Sequence, residues 1–217
     1  MNSRSVVLLS SGLDSTLNLY EAALDGGVAL ALTFDYGQRA AAREIHNSAL
    51  LCGELGIPHN VLPLHWLGEI TKTSLVNRET EIPKNVEIQN HEESVKSAAK
   101  VWVPNRNGVM LSIAAAFAES LEARWVVPGF NAEEASTFPD NSETYIKAIT
   151  ESFKLSTANA VEVKCFTSRM NKTQIVERAK ELGVNFDLIW PCYFGEPEPC
   201  GECESCLRFQ RAMKEAR

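Results

Sequence analysis

Apolar and polar positions follow two rhythms along this chain. SVVLLS (5–10) is a short apolar run rich in branched residues, the pattern of a buried strand. Directly after it Leu13, Leu17, Tyr20 and Leu24 recur at helical spacing until Gly26-Gly27. VALALTF (28–34) predicts a second buried strand. Residues 40–55 predict a helix with Ile45, Ala49, Cys52 and Leu55 on one stripe, stopped by Gly56 and Pro58. HNVLPL (59–64) predicts a third strand. Residues 66–103 are polar, broken by Pro83 and without a clear period; they predict an excursion, a candidate lid. Regular spacing resumes with a mostly apolar helix over 107–121, a strand over RWVVPGF (124–130) and a helix over 142–155. A strand over VEVKCF (161–166) and a helix over 172–182, closed by Gly183, come next. A cysteine-containing segment and a short charged terminal helix follow Trp190-Pro191.

Strands alternating with helices predict an α/β fold, a doubly wound parallel sheet with helices on both faces. The expected organisation is one α/β domain over 1–190 with a small segment over 191–217 packed on it. Ligands in such folds sit at the carboxyl ends of the strands, so the informative residues are those that follow each strand.

Composition narrows the picture. The 217 residues are 45% hydrophobic, normal for a packed core. No apolar stretch reaches the roughly 18 residues of a membrane span, and the first apolar run is too short for a secretory signal. A cytoplasmic protein is expected. The net charge of −7 favours a small-molecule substrate over a nucleic acid or a membrane.

The strand ends carry the candidate chemistry. SSGLDST (10–16) joins the first strand to a helix, whose free N–H groups and positive dipole end point into the loop. Ser10, Ser15 and Thr16 add hydroxyl donors. Asp14 has the wrong sign for a phosphate cradle; it fits a magnesium ligand or a helix cap. The segment is neither a Walker loop nor GxGxxG, and an ordinary strand–turn–helix remains the alternative. Ser11 is compatible with such a loop if its φ stays negative. Gln38-Arg39, after DYG, can present planar donors to a carboxylate or a purine edge, or be an exposed helix start. Arg106, in VPNRN (103–107), enters an apolar helix and needs an anion or a partner. Asp140-Asn141-Ser142 reads first as a helix cap.

Four of the six cysteines lie together: Cys192, seven residues, then Cys200, Cys203 and Cys206 as CxxCxxC. Four thiolates fit a closed tetrahedral zinc site, preferred here over an iron–sulfur cluster or disulfides. Cys52 and Cys165 are expected to be core residues.

SSGLDS is similar to the SGGxDS pyrophosphate loop of the N-type ATP pyrophosphatases. Taken with DYGQR…E, VPNRN, GFNAEE…FPD, the segment from Thr167 to Val176 and LIWPCY…CGECESC, the chain resembles the 7-cyano-7-deazaguanine synthase family. That likeness implies a ligase of queuosine precursor synthesis. Such an enzyme converts 7-carboxy-7-deazaguanine, ATP and free ammonia to the nitrile, through an adenylated carboxylate and an adenylated amide. It implies ATP binding by Leu9, Ser10, Ser11, Gly12, Leu13, Asp14, Ser15, Thr16, Leu17, Asn18 and Leu19. Catalytic roles fall to Asp14, near Mg2+, and to Arg39 and Arg106. Substrate contacts fall to Gln38, Arg39, Asn107, Asn131, Glu134, Phe138 and Asp140. It also implies one Zn2+ on the four cysteines and a homodimer. Many family members read NAxDYSGYPDCR where this chain has Asn131 to Ser142: the aspartate is Glu134, and the Cys-Arg pair is Asn141-Ser142. The alternative reading is a tRNA-modifying or other N-type ATP pyrophosphatase acting on a different acid or amide. No cysteine here sits in a glutaminase-like position.

Overall fold

A computed structural model describes residues 4–217; the first three residues of the expected main domain lie outside it. Five strands, β1 (Ser5–Leu8), β2 (Val28–Asp35), β3 (His59–Pro63), β4 (Trp125–Val127) and β5 (Glu162–Val163), form one sheet in the order β3-β2-β1-β4-β5. Every pairing is parallel. Helices α1 (Leu13–Leu24), α2 (Ala41–Leu55), α3 (His65–Glu69), α4 (His91–Val101), α5 (Arg106–Ser120), α6 (Glu143–Ser156), α7 (Lys172–Glu181) and α8 (Glu204–Glu215) surround it.

The period-two pleat explains why both faces are covered. Val6, Leu32, Phe34 and Val126 point to one face and pack with Leu111, Ala114 and Ala118 of α5 and Phe153 of α6. Val7, Ala31 and Val127 point to the other and pack with Leu19 and Ala22 of α1 and Leu51 and Cys52 of α2. Leu13 and Leu17, on the far side of α1, meet Ile175 and Ala179 of α7 and Ala212 of α8.

Two strands are shorter than their apolar runs. β4 stops at Val127 because Pro128 has no N–H to pair and Gly129 turns in against α1. β5 stops at Val163; the side-chain oxygen of Asn18 accepts the Phe166 N–H and draws the following residues onto α1.

Residues 66–103 hold α4, which the pattern hides. Its buried side is Ser94, Ser97, Ala98 and Val101, small or polar residues that leave no apolar stripe. The excursion is tied down at several points. Ser74 donates to the Lys100 carbonyl, Asn85 N–H to the Glu202 carbonyl, and Lys84 bridges Cys203. The cysteine segment is fastened to the sheet in turn, since the Trp190 N–H donates to the Ser11 carbonyl at 2.8 Å.

Candidate active site

The strand order reverses between β1 and β4, where ligands of open α/β sheets bind. The chain has a cavity there, walled by the β1–α1 loop, the ends of β2 and β4, the start of α5, and the cysteine segment with α8. Leu75 and Val101 of the excursion complete it.

The β1–α1 loop is shaped for an anion. No side chain caps the amino end of α1, so its first N–H groups remain available. Ser15 Oγ instead accepts from the Ser10 N–H at 3.2 Å and donates to the Gly12 carbonyl at 3.1 Å. Ser11 lies at φ 53°, in the left-handed region, so the expectation of a negative φ is overturned. The turn needs that conformation to pass from β1 into α1 while the Ser11 carbonyl reaches Trp190; a glycine would meet the need without a Cβ penalty.

Asp14 opens a buried polar cluster. Lys172 Nζ bonds its Oδ2 and pairs with Glu134 Oε1 at 2.8 Å. Asn131 donates to Asp14 Oδ2 at 3.2 Å and accepts the Glu134 N–H at 2.9 Å. Burial pushes the Asp14 carboxyl up to about 6 against the pull of Lys172. Burial opposes the charge on Lys172, but Asp14 and Glu134 outweigh it and hold the ammonium above its ordinary range. For Glu134 the same ammonium outweighs burial and brings the carboxyl below its usual value. Asp14 Oδ1 is buried with no hydrogen-bond partner among the described residues. A carboxylate oxygen left unpartnered beside an uncapped helix end fits a magnesium ion carrying polyphosphate.

Elsewhere in the cavity wall, Gln38 clamps the end of β2. Its Oε1 accepts the Tyr36 N–H, and its Nε2 donates to the Phe34 carbonyl and to Glu44 Oε2, at 2.8 to 2.9 Å. Burial pushes the Glu44 carboxyl up to about 7. Arg106 donates to the Tyr36 hydroxyl at 3.0 Å; its other guanidinium N–H groups have no hydrogen bond among those described.

The four cysteine sulfurs lie within 4.8 Å of one another, a spacing that can hold one metal ion. Backbone N–H groups of Phe194 and Cys200 point at Cys192 Sγ, which favours its thiolate, and that of Cys203 points at Cys200 Sγ. The centre is not remote. Cys192 lines the cavity, and α8, which starts at the last cysteine pair, adds Glu204, Ser205, Arg208 and Phe209 to its wall.

Of the residues expected at the site, Leu9, Ser10, Gly12, Leu13, Asp14, Ser15, Gln38, Arg106, Asn107, Glu134 and Phe138 line this cavity. Ser11, Thr16, Leu17, Asn18 and Leu19 are fully buried behind it. The Asn18 amide is spent on Thr167 Oγ1, Phe166 N–H and the Asp14 carbonyl. Arg39 turns away from the cavity and donates to the carbonyls of Asn77 and Thr80, with its guanidinium over the Phe194 ring. Asn131 acts behind Asp14. Asp140 sits behind Asn107 and Asn141, each of which donates to one of its oxygens. Asn141 lines the cavity, while Ser142 caps α6 by accepting the Tyr145 N–H. Cys52 is core, and the Cys165 thiol donates to the Phe130 carbonyl.

Sequence reasoning passed over Lys172. The signal was its place at the first position of a helix, capped by Asn171, where acidic residues are favoured and a lysine needs a reason. Tyr36 and Glu44 stood in the DYGQR…E motif without an assigned role, and the α8 wall was not anticipated, since nothing local in the sequence places it in the cavity.

The sequence profile of the family described as queuosine biosynthesis protein QueC matches residues 4–217. A 7-cyano-7-deazaguanine synthase of Bdellovibrio bacteriovorus is 51% identical over 218 residues, covering 99% of this chain and 94% of the relative. One of Methanosarcina barkeri is 51% identical, covering 98% and 94%. Among solved structures, the NMN synthetase of Francisella tularensis aligns with TM-score 0.51 at 15% identity, over 92% of this chain and 71% of that one. A 4-thiouridine synthetase, solved with RNA and ATP, aligns with TM-score 0.53 at 21% identity, over 98% of this chain and 50% of that one. At these identities the structures speak for the fold alone.

Proposed function

The chain belongs to the queuosine biosynthesis family QueC, and from that membership we propose that its cavity joins ammonia to 7-carboxy-7-deazaguanine at the expense of ATP, ending in the nitrile. The observation that carries this reading is that one cavity is lined both by the uncapped end of α1 with Asp14 and by Arg106 with Glu44.

The reaction divides into two activations. A carboxylate oxygen attacks the α-phosphorus of ATP and expels pyrophosphate. Ammonia then adds to the acyl carbon, AMP leaves with that oxygen, and the amide remains after loss of a proton. The amide oxygen is adenylated by a second ATP. Departure of AMP and of the two nitrogen-bound protons leaves the C≡N bond. AMP is a far better leaving group than oxide, and the protein supplies position and charge.

The N–H groups at the start of α1 take the polyphosphate. Asp14, with its unpartnered Oδ1, takes the magnesium, which neutralises phosphate charge when bound. Lys172 keeps Asp14 and Glu134 ionised and aimed. Arg106 neutralises the substrate carboxylate, and Asn107 and Phe138 bound the substrate end of the cavity. Arg39 serves by fixing the excursion. The four cysteines hold one zinc, which braces the α8 wall. Free ammonia is the nitrogen donor, no nucleic acid takes part, and the protein works in the cytoplasm as a homodimer. No helix among the described residues is long and apolar enough to cross a membrane.

Incubation of the purified protein with 7-carboxy-7-deazaguanine, ATP, Mg2+ and ammonium tests the reading. Mass spectrometry should find the nitrile, with two AMP and two pyrophosphate per product. Pyrophosphate release on a different acid, with no nitrile, would overturn it.

A further inference from the structure

Four acidic side chains line the cavity: Asp14, Glu44, Glu134 and Glu204. Three are neutralised at contact distance. Asp14 and Glu134 share Lys172, and Glu204 pairs with Arg208 at 2.7 Å. Glu44 is different. Among the described contacts it makes no ion pair, and its one side-chain partner is the neutral amide of Gln38. Arg106 is near enough to be felt electrostatically but forms no ion pair with it.

The clamp on Glu44 is rigid. Every donor of the Gln38 amide is used, so Glu44 Oε2 is held in one place against the end of β2. Three of the four carboxylate lone pairs remain for a ligand. Phe34, Tyr36, Leu75 and Val101, which pack in one apolar cluster, line the same cavity. An apolar wall beside a fixed carboxylate suits a flat ring with two adjacent N–H donors on one edge.

We propose that Glu44, positioned by Gln38, is the specificity residue that accepts the N1–H and 2-amino donors of the deazaguanine ring. This rests on the substrate named above. Around that ring the order is 2-amino, N1–H, the carbonyl oxygen, then the carboxylate. Acceptors are needed first and donors next, and Glu44 and Arg106 line the same cavity within electrostatic reach of each other. Glu134 and Asp140 are already engaged, by Lys172 and by Asn107 and Asn141. A cation at this position would have tied up the acceptor; a neutral amide orients it and leaves it open. The part-buried carboxylate is poorly solvated until ligand donors arrive, and a ring without the 2-amino group leaves it underpaired.

Calorimetric titration, with a non-hydrolysable ATP analogue present, compares 7-carboxy-7-deazaguanine with its counterpart lacking the 2-amino group. The unaltered protein should prefer the amino compound by about tenfold or more. Glu44→Gln should weaken the amino compound about 10- to 100-fold, reduce the preference to within about twofold, and leave the affinity for the ATP analogue within about twofold. Equal weakening of both rings in Glu44→Gln, or an undiminished preference, would overturn the proposal by making Glu44 merely structural. The unaltered protein decides the matter if the variant does not fold: a preference below about twofold overturns the proposal. Nitrile formed equally well from both rings would sink this inference alone; binding of neither acid would sink the assigned substrate with it.

Discussion

Gly129 lies directly against the first turn of α1: a Cβ added to it would stand 2.6 Å from the backbone nitrogen of Ser15. The end of β4 and the start of α1 therefore touch through backbone, and the anion loop is set by that contact. Gly129→Ala must push α1 or the loop aside. The expected cost is about 1–3 kcal/mol of stability. A roughly tenfold or larger rise in KM for ATP should accompany it, because small displacements of positioning groups are expensive. Unchanged denaturation midpoint and KM would show that the contact relaxes freely.

Lys172 is the only described cation bonded to Asp14 and Glu134. Lys172→Met leaves the buried Asp14 carboxylate and the partly exposed Glu134 carboxylate without their shared cation, at a cost of up to about 3 kcal/mol. Adding Glu134→Gln should recover part of that loss, since the repulsion disappears with one charge. Urea unfolding of the single and double variants reads both effects. A double variant no more stable than the single one would refute the shared-cation arrangement.

Ser11→Gly tests the left-handed turn. Relief of the Cβ clash is worth about 1–2 kcal/mol, and the extra freedom of glycine in the unfolded chain offsets about 0.4–1 of it. The variant should be as stable as the parent or up to about 1.6 kcal/mol more stable. Clear destabilisation in thermal unfolding would contradict the observed backbone.

Metal analysis should find about one zinc per chain. Cys203→Ser should lower that content and loosen α8, so both nucleotide and substrate affinity should fall while the parallel sheet persists by far-UV circular dichroism. Full affinity in a metal-free protein would separate the cysteine centre from the cavity that its helix lines.

Glu44 gives stability a defined pH dependence. Burial raises its carboxyl from 4.5 to about 7. Between those values the folded protein keeps a proton that the unfolded chain has released. Stability attributable to this group is therefore full below about 4.5, falls as pH rises toward about 7, and is level above. The amplitude is of order 1–2 kcal/mol, since the side chain keeps contact with the cavity. The difference in unfolding free energy between the unaltered protein and Glu44→Gln isolates it from Asp14, which titrates in an overlapping range. A flat difference would refute the assignment.

Local chemistry made much of this protein legible. SVVL, VALALTF and the stripes of α1, α2 and α7 follow from side-chain period, because pleat and helical pitch are properties of the backbone itself. The four cysteines announced a group able to hold one metal ion because their spacing is a local constraint. SSGLDS announced an uncapped strand-to-helix turn, because a strand passing directly into a helix leaves N–H groups free. Tertiary structure decided what period and spacing do not encode. α4 stayed hidden because its buried face is mostly small or polar and gains its burial from the excursion and α8. Lys172, Glu133 and Arg208 found their partners across more than thirty residues of chain. Arg39 and Gln38 are adjacent in sequence, yet one ties down a loop and the other clamps Glu44, because the turn after β2 sends their side chains apart. Glu44 and α8 enter the cavity only because a parallel sheet gathers all its strand ends at one edge, and no single segment carries that information.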